Sequence, residues 1–70
     1  MITGKLIDSG LRILRDGVIF TENDDGLYYC DVDIPRYGTF MMRCYEGGIQ
    51  TLVQTIVVDP PTSGIVTLKR

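Results

Sequence analysis

Leu27-Tyr28-Tyr29-Cys30-Asp31-Val32-Asp33-Ile34 decides the fold class. In an extended chain Tyr28, Cys30, Val32 and Ile34 fall on one face, and Tyr29, Asp31 and Asp33 fall on the other. A period of two, apolar on one side and polar on the other, is the signature of a half-buried antiparallel strand. A helix would scatter both sets around its circumference.

Working outward, the same alternation recurs between turn signals. Pro35-Arg36-Tyr37-Gly38 turns the chain, and Thr39 to Glu46 reads as a strand with Phe40, Met42 and Cys44 facing in. Gly47-Gly48 is a two-residue hairpin loop. Ile49 to Val58 is rich in β-branched residues and reads as the next strand. Asp59-Pro60-Pro61-Thr62-Ser63-Gly64 breaks it, because two prolines remove two donors. Ile65 to Lys69 is the last strand.

Toward the N-terminus, Thr21-Glu22-Asn23-Asp24-Asp25-Gly26 is a turn of residues that bond their own backbone. Leu11 to Phe20 has two extended readings. One is a hairpin folded at Asp16-Gly17, which is preferred; the other is a single irregular edge strand. A helix through Leu11, Leu14 and Val18 is rejected, since a mid-helix Gly costs about 1 kcal/mol relative to Ala. Ile2 to Ile7 opens the chain, with Ile2, Gly4 and Leu6 on one face, and Asp8-Ser9-Gly10 ends it. The expectation is an all-β, small antiparallel β-sandwich of about six or seven strands, in a single domain spanning residues 1–70.

Composition bounds the function. A core of this size supplies roughly 3–5 kcal/mol, so small domains often lean on a disulfide, a metal or a partner chain. The 70 residues carry a net charge of −2 and no cluster of Lys and Arg. Nucleic-acid binding needs several cations on one face, so it is not expected. No apolar run approaches the ~20 residues of a membrane span, and the first residues lack the pattern of a signal peptide. The chain is expected to be made and to stay in a cytoplasm, where its two cysteines would be thiols.

Catalysis is not expected. There is no histidine, the side chain best suited to proton transfer near neutral pH. Ser9 and Ser63 sit in turns with no base nearby. Asn23-Asp24-Asp25 lacks the ligand spacing that calcium requires, and turn chemistry explains it. No cofactor and no metal are expected. If Thr39–Glu46 pairs with Leu27–Ile34 so that Ile34 opposes Phe40, Cys30 opposes Cys44. Opposed Cβ atoms lie about 4.5–5.5 Å apart, wider than the about 3.5–4.5 Å of a disulfide. Two buried thiols are therefore expected.

The outward positions point to a partner. Leu27, Tyr29, Met41 and Tyr45 alternate to the side away from the core, and Tyr37 lies in a turn. Tyr and Met are enriched at protein interfaces. Tyr29, Tyr37, Met41 and Tyr45 are the candidate partner-binding residues.

In order along the chain, several elements resemble the carboxypeptidase-regulatory-like, or prealbumin-like, β-sandwich, and more narrowly the small N-terminal domain of bacteriophage tail fibres. They are Ile2-Thr3-Gly4-Lys5-Leu6-Ile7-Asp8; the acidic turn and aromatic strand start Thr21 to Tyr28; the corner Asp31-Val32-Asp33-Ile34-Pro35-Arg36-Tyr37-Gly38-Thr39-Phe40; and the closing strands from Thr55-Ile56-Val57-Val58 to Leu68. The resemblance implies a virion structural or adaptor protein, as a tail, fibre-docking or neck module. It would be a homo-oligomer in contact with other virion proteins. The second expectation is a small regulatory binder that occupies the surface of a host or partner protein.

Overall fold

In a computed structural model, residues 1–69 are described. They form six strands: β1 (Ile2–Asp8), β2 (Ile13–Glu22), β3 (Leu27–Asp31), β4 (Gly38–Glu46), β5 (Ile49–Val58) and β6 (Ile65–Lys69). No helix occurs among the described residues. Every strand pairing is antiparallel, and the strands run β5-β4-β1-β2-β3-β6 in one nearly closed sheet. The two layers around the core are therefore two parts of one sheet, joined through β2.

The alternation read from the sequence places the core. Leu6, Ile34, Met42, Cys44 and Leu68 are fully buried, and Ile2, Phe20, Tyr28, Cys30, Val32, Phe40 and Val58 complete the cluster. The inward faces of β3 and β4 are those expected. Their pairing is not. β4 lies between β1 and β5, whereas β3 pairs with β2 and with β6. Alternation fixes which face of a strand is buried but says nothing about its neighbour. The segment after β3 crosses from one layer to the other. It is held by Val32 N–H donating to the Gly64 carbonyl at 3.0 Å and by a bridge between Ile34 and Thr62.

Leu11 to Phe20 is the irregular single strand and not a hairpin. Gly4 pairs with Val18 and Leu6 with Arg15, so Asp16 and Gly17 both stand opposite Lys5. This is a β-bulge, with Gly17 at φ 67° and the Asp16 Oδ1 accepting the Gly17 N–H at 2.7 Å. The Asp-Gly pair supplies the left-handed residue that a hairpin turn would need, and here a bulge uses it. Gly47 and Gly48, at φ 58° and 82°, do make the expected two-residue turn between β4 and β5.

Candidate functional site

The outward face of the β2–β1–β4–β5 layer is assembled by register. Ile7 pairs with Ile13 on one side and with Met41 on the other, and Met41 pairs with Thr55. These four strands thus contribute one uncharged row: Ile13, Ile7, Met41, Thr55. Thr39 and Val57 extend it at the rim. Ile7 is buried although it lies outside the core cluster, while Ile13 and Val57 are exposed. A shallow depression of about 160 Å³ opens beside the row, lined in part by Leu11, Thr39, Met41 and Thr55.

Leu11 is placed there by the β1–β2 turn. The Asp8 Oδ1 accepts the N–H groups of Gly10 and Arg12, each at 2.9 Å, and the Leu11 N–H donates to the Asp8 carbonyl at 3.0 Å. The turn holds Leu11 at φ 62° and 70 % exposed. A leucine in the left-handed region is costly, and an exposed one gains nothing from burial.

The next row is cationic. Lys5 and Arg43 are direct cross-strand partners, with Val53 beyond Arg43. Neither forms an ion pair among the described residues. Lys5 Nζ lies 5.7 Å from the centre of the Tyr45 ring, and the Arg43 Nε–H donates to Met41 Sδ at 3.4 Å. A ring and a thioether are soft partners for two like charges set side by side.

Two of the expected contact residues, Met41 and Tyr45, therefore lie together on this face. Tyr29 does not join them. It pairs with Thr21 and Thr67 in the other layer and lines a separate depression with Ile19, Thr21 and Ile65. Leu27 lies with Tyr29, opposite Lys69. Tyr37 sits alone and exposed in the segment before β4. The sequence reading missed Lys5, Ile7, Ile13, Val53 and Val57. Their alternation marks them as outward, but only the register shows that they adjoin Met41 and Tyr45.

The acidic turn is built by its asparagine. The Asn23 Oδ1 accepts the N–H groups of Asp25 and Leu27, each at 3.1 Å, and the Asn23 N–H donates to the Leu27 carbonyl at 2.9 Å. Glu22, Asp24 and Asp25 are exposed and form no ion pair among the described residues. No group of three potential metal ligands occurs among those residues.

Cys30 and Cys44 are buried, unbonded thiols. Burial pushes Cys30 up to about 11, and the Asp31 carboxylate adds to the shift. Burial also pushes Cys44 up to about 11, with a smaller effect of Cys30 across the core. At neutral pH both are protonated and poor nucleophiles. No family model, curated protein or solved structure matches the chain.

Proposed function

We propose that this chain is a non-enzymatic protein–protein contact module, a structural or adaptor protein of a phage virion that works in several copies. The observation that carries the contact reading is the uncharged Ile13–Ile7–Met41–Thr55 row crossing four strands beside the Lys5–Arg43 pair. Ile13 and Val57 are exposed on this face and Met41 is half-buried, around a buried Ile7, and exposed apolar patches are a mark of interaction sites on small domains. The absence of histidine and the protonated state of both buried thiols support the non-enzymatic part. The virion assignment rests on the resemblance of the strand-and-turn order to tail-fibre N-terminal domains.

Mass spectrometry of gradient-purified particles from the phage that encodes the chain tests the assignment. The expected result is the chain at a fixed ratio to a tail, fibre or neck protein. Absence from particles, with recovery in a complex with a host protein, would favour the regulatory binder. Met41→Lys places a charge in the uncharged row without touching the core, and should abolish incorporation while the chain still folds, as a circular dichroism melt verifies.

A further inference from the structure

We propose that the Lys5–Arg43 face of one copy receives the Glu22–Asp25 turn of a second copy, so that the chain assembles head to tail. The proposal rests on the contact reading above and names the occupant of that surface.

Two features of the same chain are each uncompensated and complement one another. On β1 and β4, Lys5 and Arg43 are direct partners, which places their Cα atoms about 4.5–5.5 Å apart. Like charges directly opposite one another destabilise a sheet. A carboxylate in ion-pair contact would relieve this, yet neither cation makes such a contact among the described residues: Asp16 stands opposite Lys5 in the β2 bulge, but its Oδ1 accepts the Gly17 N–H. At the β2–β3 turn, Glu22, Asp24 and Asp25 present three carboxylates within four residues and likewise form no ion pair there. The turn is rigid without them, because the Asn23 Oδ1 and main chain hold its backbone. Its carboxylates are free to act elsewhere, and little order has to be imposed on binding.

The turn does not serve the cations of its own copy. Phe20 pairs with Ile2 at the end of β1, and Glu22 lies two residues beyond. Lys5 is three residues along β1 from Ile2, about 10 Å at 3.3 Å per residue. From Thr21 the chain leaves this layer to pair with β3, while Lys5 and Arg43 point outward from it. The contact is therefore between copies. It joins two different surfaces, and such heterologous contacts close into rings or propagate as filaments.

The occupant's neighbour suits the rest of the face. Leu27 follows the turn and can meet the uncharged row beside the cations. A single contact of this size is weak, so assembly is expected to depend on concentration and to weaken with salt as exposed charges are screened.

Analytical ultracentrifugation of the intact chain tests this. Wild type at submillimolar concentration should self-associate at about 20 mM salt and dissociate at about 300 mM. Lys5→Glu with Arg43→Glu should be monomeric alone, at least tenfold weaker in association, and so should Asp24→Lys with Asp25→Lys. An equimolar mixture of the two variants should assemble again, because each acidic surface then meets a basic one. All the substituted positions lie on the surface of the sheet or in an exposed turn, and circular dichroism melts verify folding. Wild-type self-association that neither variant changes, or a mixture that stays monomeric, overturns the proposal while leaving the contact reading intact. Monomeric wild type overturns it too. If Met41→Lys then still blocks incorporation into particles, the face has another protein as its occupant; if it does not, the contact reading falls as well.

Discussion

Replacing Gly4 with alanine inserts one methyl group where Phe20 and β4 approach β1 closely. A Cβ built there meets Phe20 Cε2 at 2.5 Å, the Arg43 carbonyl oxygen at 3.0 Å and Cys44 Sγ at 3.3 Å. Carbon–carbon contacts are optimal near 3.5–4.0 Å, so the methyl overlaps the Phe20 ring by about 1 Å. The ring cannot swing away, because Phe20 is 4 % exposed within the core cluster. The Arg43 oxygen belongs to the neighbouring strand and is held by the sheet. Overpacking of this kind costs about 1–3 kcal/mol, and constraint on both sides places Gly4→Ala near 2–3 kcal/mol. A core of this size supplies roughly 3–5 kcal/mol in total, so most of the stability goes. At about 4–8 °C per kcal/mol the melting point should fall by about 10–20 °C. Urea titration followed by far-ultraviolet circular dichroism measures the loss, with an unchanged slope showing that the unfolding remains comparable. Gly10→Ala is the control. Its Cβ meets only the Asp8 Oδ1, at an ordinary 3.4 Å, and the change should stay within about 0.5 kcal/mol. A loss at Gly4 as small as at Gly10 would refute the close approach of Phe20 to β1.

Other expectations follow from the same structure. Met42→Ala removes a side chain with no exposure and should cost about 2–5 kcal/mol in urea titration. Leu11→Asn should raise stability by about 0.5–1 kcal/mol, since asparagine tolerates φ 62° and the leucine it replaces is exposed. The thiols rise from 9.0 to about 11 on folding. Between those values the folded chain holds protons that the unfolded chain has lost, so stability is retained below about pH 9 and falls toward pH 11, by up to about 1.4 kcal/mol per pH unit for each thiol. Melting curves across that window measure the slope. Ellman's reagent should react slowly with the native chain and promptly with two thiols after denaturation.

The elements were legible because their physics is local. The period of two from Leu27 onward, the Gly47-Gly48 turn and the Pro60-Pro61 break depend on residues a few positions apart, and β5 and β6 begin and end where those signals place them. The neighbours were not legible, because pairing is a long-range property. Pro35-Arg36-Tyr37-Gly38 looks like the turn of a hairpin, yet the segment carries the chain between layers, secured by Gly64 and Thr62, which lie far along the sequence. Asp16-Gly17 supplies positive φ to either a turn or a bulge, and only the pairing of β1 with both halves of β2 selects the bulge. The candidate site divides in the same way. Met41 and Tyr45 were identifiable as outward by alternation alone. Their separation from Tyr29, and their proximity to Lys5, Ile7 and Ile13, depend on β1 lying between β2 and β4.

Hydroxyl-radical footprinting of the chain, free at low concentration and in the assembled particle, reads the contact face directly. Met41, Tyr45 and Val57 should be oxidised in the free chain and protected in the assembly, with Tyr37 as an exposed internal comparison. Equal oxidation of Met41 and Tyr45 in both states would contradict the assignment of the β2–β1–β4–β5 face as the surface through which this protein works.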